Sequence, residues 1–301
     1  MSVALPKARE DRALLGIGLT LLAFFQFSFV DASVKWLTLL AYPALQLAFF
    51  RYFAHAIISG VRLARNPDES LQIDKSDRWL VVLRGVLILG STVLNFIALK
   101  YLPLTLTSTI LFSSPIIVCL LSGTMLGERV GKWRWLAILF GFIGVLIAIR
   151  PFHESFHWAT LVSLAAVTCF AFYLVLTRQL AGKVGPDTMQ FGSGAVGFIA
   201  LLPFTVMLWR TPDDLLQWAL LTGLGIFAWA GHEMLTRAYR YADASVLTPY
   251  SYSFMIYLTV WSIVLFDHYP DRWTLIGAAI IVTSGLIIWV REKMHAERQP
   301  K

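Results

Sequence analysis

Ten runs of about 20 mostly apolar residues follow one another along this chain, each long enough to cross a bilayer as a helix. They cover about 13–40, 45–61, 79–99, 104–126, 133–150, 158–180, 188–209, 215–237, 244–266 and 273–290. A lipid-embedded backbone must satisfy its polar groups within each segment. The expected fold is therefore an all-α integral membrane protein with ten transmembrane helices. Turn signals such as Tyr42-Pro43, Leu102-Pro103 and Gly182–Pro186 separate the runs. The longest polar stretch is Arg62–Arg78, too short for a separate soluble domain.

Composition agrees. Charged residues make up 14% of the chain, against about 25% in soluble domains. The net charge of +7 lies mostly between apolar runs, where it points to a bilayer surface rather than to nucleic acid. Cys119 and Cys169 sit deep in apolar runs and read as small hydrophobes, with no disulfide framework. The polar start MSVALPKAREDR leads into the first run without a usual cleavage site, so the first span is expected to be retained.

Loop charge sets the orientation. Eighteen Lys and Arg fall at the N-terminus, in every second loop and in the tail; four, Lys100, Arg150, Arg210 and Arg272, fall on the other side. Both termini are expected in the cytoplasm.

The two halves resemble each other. When Ala98–Leu136 is set over Ala238–Ile276 without gaps, Lys100 meets Arg240, Tyr101 meets Tyr241, Ser122 meets Ser262 and Trp133 meets Trp273. Five spans per half is an odd number, so the second half must be inverted relative to the first. Inverted repeats are a common secondary-transporter architecture, with substrate sites near the midplane between repeats.

Ten spans in two five-helix halves, the Ala…Tyr entry into spans four and nine, and the Gly127-Glu128 pair after span four resemble the drug/metabolite transporter superfamily, EamA type. The resemblance covers the whole chain. Asp267-His268 stands where the second half would carry the Gly-Glu pair. The resemblance implies two EamA-like repeats, 13–150 and 158–291, around a central cavity. It also implies a secondary carrier of the bacterial inner membrane that exports amino acids or related compounds, metallophores included. Some members of the family import riboflavin or S-adenosylmethionine, so import of a vitamin or nucleoside-like compound stands as the alternative. An intramembrane enzyme or sensor is the third reading, but no catalytic constellation is visible. The partners implied are a small-molecule substrate and the lipid bilayer, with no nucleic acid; monomer and homodimer both stay open.

No P-loop is present, so transport energy would come from a gradient. The six histidines are scattered, and neither a cofactor, nor a metal site, nor a catalytic residue is expected.

The sharpest candidates are charges inside apolar runs. Asp31 lies roughly 7 Å from the midplane of the first span, at 1.5 Å per residue. Lys35 is one turn on, and Arg51 in the second span falls at matching depth. Intramembrane charge is functional by default. The group reads either as a substrate or coupling-ion site, or as an ion pair locking spans one and two with Lys35 reaching outward. His232 and Glu233, in the eighth span, read as a proton-linked site or gate, or as a surface salt bridge to Arg237. Gln46 and Asn95 suit interhelical hydrogen bonds ahead of cavity lining. Trp229, Tyr250, Tyr252 and Tyr257 form a candidate aromatic wall, with Tyr250 and Tyr257 seven apart on one side. Gly192, Gly194 and Gly197, with Gly123 and Gly127, are close-packing signals.

Overall fold

The computed structural model describes residues 7–65, 73–125, 132–151, 153, 156–180, 183–242 and 244–298. The described residues form helices joined by turns, with no strand among them. The helices are α1 (Lys7–Leu39), α2 (Ala44–Arg65), α3 (Lys75–Tyr101), α4 (Leu104–Leu111), α5 (Ser114–Met125) and α6 (Lys132–Ile149). They continue as α7 (Ala159–Leu180), α8 (Pro186–Met207), α9 (Leu215–Tyr241), α10 (Ala244–Leu247), α11 (Ser253–Phe266) and α12 (Arg272–Arg298). A 3-10 turn, Thr248–Tyr252, joins α10 to α11. Six of the helical segments are long and apolar enough to cross a membrane, and three shorter apolar segments accompany them.

Two of the expected spans, 104–126 and 244–266, are each broken rather than continuous. Proline is the cause in both. Pro115 has no N–H to give, and its ring would meet a carbonyl one turn back. The chain tightens ahead of it: the Ser113 N–H bonds the Ile110 carbonyl, 3.0 Å away, and α5 starts afresh at Ser114. Pro249 sits in the first turn of the 3-10 segment, where a missing donor costs least. The breaks fall at Phe112–Ser113 and Tyr252–Ser253, and the Phe112 and Tyr252 rings meet at 4.9 Å.

Packing pairs the helices in a regular way. Helix α1 lies along α9, and α3 along α7; α2 packs on α8 and on α9, and α3 also on α8; α6 lies along α12. The α6–α12 seam uses small residues. A Cβ on Gly144 would come 2.9 Å from the Gly277 carbonyl oxygen, and the Ser284 hydroxyl donates to the Ala137 carbonyl at 2.5 Å. The Gly192–Gly197 set does the same for α8. Gly194 lies against the backbone of Ala56, and Gly197 against the Tyr52 ring. Gly127 and Glu128 lie outside the described residues.

The main core is formed by Leu37, Leu47, Phe96, Leu99, Leu104 and Leu258, all fully buried. Large apolar side chains cover the outside, such as Leu215, 84% exposed, and Ile199, 69% exposed. In water that surface would be costly; against lipid tails it is matched.

Candidate functional site

The site is assembled by four helices. Helix α1 contributes Asp31, 9% exposed. From α3, the Asn95 side-chain amide donates to Asp31 Oδ1 at 3.5 Å. From α2 comes Arg51, whose charge acts on the Asp31 carboxylate and whose guanidinium lies over the Phe96 ring, 5.9 Å from its centre. Arg51 is only part-buried, and its side chain takes no hydrogen bond and no ion pair among the described residues. Its position depends on Gly225 of α9: a Cβ there would stand 2.8 Å from the Phe50 carbonyl oxygen and 3.0 Å from that of Arg51. Glycine lets α9 press on the α2 backbone beside the cation.

One turn along α2, His55 continues the polar line. It is 8% exposed; the Gln190 backbone meets its ring, and its Nε2 has no partner among the described residues. Its ring faces that of His232 on α9 at 6.3 Å, and His232 rests on Phe27 of α1 at 4.8 Å. His55 and His232 thus face each other between α2 and α9, and the Arg51 charge acts on both of them as well as on Asp31.

At the end of α2 where Arg62 lies there is a charge network. Arg62 of α2 is ion-paired to Glu233 of α9 and reaches Asp187 of α8 at 3.4 Å; Arg237 bonds the other Glu233 oxygen at 2.9 Å. Beside it a cleft of about 710 Å³ opens between α2 and α9, lined by Ile58, Val61, Arg62, Trp229, Glu233 and Arg237. Glu233 is therefore an inter-helix tie as well as the i,i+4 partner of Arg237.

The opposite end is tied by neutral groups and one cation. The Tyr42 hydroxyl donates to Gln217 Oε1 at 2.5 Å. The Gln46 amide donates to the Arg210 carbonyl at 2.8 Å and accepts from its N–H at 2.9 Å, and the Arg210 guanidinium bonds the Leu40 carbonyl. Gln46, fully buried, ties α2 to the connection between α8 and α9 and does not line a cavity.

Two other expectations need correction. Lys35 does not join Asp31 and Arg51; it runs toward the end of α3 instead and stays buried there. It is 3% exposed and donates to the carbonyls of Leu99 at 2.9 Å and Leu102 at 2.7 Å. Those oxygens sit at the C-terminal end of α3, where carbonyls lack helical partners and attract cations. The aromatic wall is also divided. The 3-10 turn breaks the seven-residue register, so Tyr252 packs on Phe112 while Tyr257 meets Phe25 of α1 at 5.5 Å and Tyr250 is exposed.

Arg84 of α3 is a buried cation that span-by-span reading passes over. It is 2% exposed and donates to Thr177 Oγ1 at 2.7 Å, the Met189 carbonyl at 2.8 Å, Ser193 Oγ at 2.7 Å and the Tyr173 hydroxyl at 2.8 Å. Its one sequence signal is a lone Arg five residues into an apolar run.

Comparison with known proteins adds identity to this geometry. The EamA-like transporter family matches residues 14–150 and again 157–290. An S-adenosylmethionine uptake transporter of Rickettsia bellii is 28% identical over 93% of this chain and 94% of its own. A riboflavin transporter of Vibrio cholerae is 32% identical over 67% of this chain and 68% of its own. A pseudopaline exporter of Pseudomonas aeruginosa is 26% identical over 91% and 95%. A solved crystal structure shares the fold, with a TM-score of 0.61 at 18% identity over 93% of this chain and 96% of its own. The chain is a multi-pass membrane protein and belongs to the EamA-like transporter family.

Proposed function

We propose that this protein is a secondary carrier of a small polar metabolite, working by alternating access across a bacterial inner membrane with both termini in the cytoplasm. Asp31 and Arg51 form the solute site; His232 lies on the route, and Glu233 belongs to the inner gate. One observation carries the reading. A part-buried guanidinium sits within the bundle beside a carboxylate and takes no partner of its own among the described residues. Such a charge is costly unless water or a ligand meets it.

The mechanism rests on two inverted five-helix repeats spanning ten times. Supporting this is the reciprocity of the packing: α1 on α9 answers α3 on α7, and α2 on α9 answers α3 on α8. The two helix breaks lie 140 residues apart, the offset of the sequence repeat, and their rings touch. Ser284 on Ala137 and Gly144 on Gly277 are the same contact under that offset. Opposite rocking of the halves would open the inner charge network while the Tyr42–Gln217 end stays tied, and then the reverse.

A carrier without a nucleotide-hydrolysing motif runs down whichever gradient it meets. Relatives named for uptake and for export therefore fit one mechanism; the charge pair favours an amino-acid-like solute, and outward movement rests on the family resemblance alone. Purified protein in liposomes should move a candidate solute in counterflow. Asp31→Asn and Arg51→Ala should each cut that flux at least tenfold while eluting as folded protein. Normal flux in both variants would sink the site assignment.

A further inference from the structure

The charge inside the bundle does not balance, and the imbalance has a fixed sign. Arg51 and Arg84 are guanidinium groups, which stay protonated in proteins. Facing them within the spans is one acidic side chain among the described residues, Asp31. Lys35, His55 and His232 contribute either nothing or more positive charge. The inner cluster does not alter this, because Asp187 and Glu233 there are matched by Arg62 and Arg237. The embedded charge is therefore at least +1 in any protonation state, and +2 when Asp31 holds a proton.

The two guanidiniums are provided for differently. Arg84 is wrapped by four neutral acceptors and lies over the Tyr173 ring, 4.5 Å from its centre. Neutral acceptors solvate a cation without cancelling it, so its field persists in a low-dielectric interior. That field reaches the centre: the charges of both Arg51 and Arg84 act on Tyr52, His55 and His232. Arg51 has only the Phe96 face and the nearby Asp31. A planar fork of donors left open in a positive interior is built to take a carboxylate or phosphate oxygen pair.

We propose that the solute is a net anion, a metabolite with more carboxylate or phosphate groups than amines, and that Arg51 grips its acidic end. Asp31, held by Asn95, is then the partner for an amine on the same solute, and the Arg84 field offsets the second acidic group. This rests on the reading that Asp31 and Arg51 line the transport route. It separates this chain from carriers of sulfonium cations or of neutral flavins, despite its likeness to proteins named for both.

The test uses full-length protein in phosphatidylcholine nanodiscs. Thermal unfolding is followed with glutamate, citrate, a phosphate monoester, riboflavin or S-adenosylmethionine, the last carrying a sulfonium and an ammonium against one carboxylate. At least one anion should raise the unfolding midpoint. Arg51→Gln should weaken that anion at least tenfold, Arg51→Lys should keep only part of the effect because it keeps the charge and loses the fork, and Asp31→Asn should tighten citrate severalfold. A midpoint raised by S-adenosylmethionine or riboflavin alone, or by no probe, overturns the proposal. Flux in vesicles separates the two claims. If Arg51→Gln loses anion binding but carries solute normally, the anion site stands and the transport-route reading falls. If Arg51 is needed for flux of S-adenosylmethionine or riboflavin, the route stands and net-anion selectivity falls.

Discussion

The Lys35 ammonium reaches from α1 to the Leu102 carbonyl, 2.7 Å away, at the point where α3 ends. Its second bond, to Leu99, falls within the last turn of the same helix. A cation there satisfies carbonyls that have no helical partner and meets the negative end of the helix dipole. Lys35 is thus a cap supplied by a neighbouring helix. Lys35→Met should destabilise the fold by about 2 kcal/mol, in the range for hydrogen bonds to charged groups. Solute affinity should be unchanged. Unfolding in detergent and a binding titration together check this, and loss of affinity without loss of stability would return Lys35 to the solute site.

The reason Lys35 misleads in the sequence is geometric. Spacing of four places Asp31 and Lys35 on one helix face, but a four-carbon stem can carry its charge well away from that face. Asp31 and Arg51 were legible because charge is rare in an apolar run and their depths agree. Arg84 carries the same signal, yet its acceptors come from α7 and α8, more than 85 residues later, and no local pattern announces them. The apolar runs themselves were legible to within a few residues at most ends, while α1 begins six residues earlier and α12 ends eight residues later than the apolar pattern. Their breaks at 112–113 and 252–253 were half legible: the prolines mark the strain, but the turn forms ahead of Pro115 and after Pro249.

The Arg62–Glu233 network should behave as a latch. Arg62 holds α2 to both α8 and α9, and each partner is a carboxylate. Glu233→Gln removes the stronger tie and leaves Arg62 and Arg237 to repel. With Cys119 and Cys169 replaced by alanine, a cysteine introduced by Ile58→Cys in the adjoining cleft reports access from the cytoplasm. Its labelling by an impermeant thiol reagent should quicken severalfold in the Glu233→Gln background. An unchanged rate would mean that the network is a surface salt bridge only.

The end tied by Tyr42 and Gln217 should resist pH. Burial, and after it the Asp213 carboxylate, hold the Tyr42 phenol above its usual value against the pull of Arg210. A raised phenol keeps its proton further into the alkaline range, so the bond to Gln217 persists wherever ordinary tyrosines are still neutral. Tyr42→Phe should cost about 1 kcal/mol, the net worth of one neutral hydrogen bond. That cost should be the same at pH 6 and pH 8 in equilibrium unfolding. A cost that disappears at pH 8 would show the tie to be ionisation-dependent.

Two glycines make opposite predictions from the same chemistry. Gly18 of α1 is exposed, and a Cβ there meets nothing within 4 Å. Gly18→Ala should stabilise by about 0.5–1 kcal/mol, because alanine gives up less backbone freedom on forming helix. Gly225 of α9 lies where a Cβ would come 2.8 Å from the Phe50 carbonyl oxygen and 3.0 Å from that of Arg51. Backbone cannot yield as a side-chain tip can, so α9 must move off α2. Gly225→Ala should destabilise by about 1–3 kcal/mol, as overpacking does. It should also weaken solute binding, since the displaced segment is the one that aims Arg51. Paired melting and binding measurements on the two variants decide it. Equal behaviour would mean that the α2–α9 contact neither limits the fold nor sets the position of the cation.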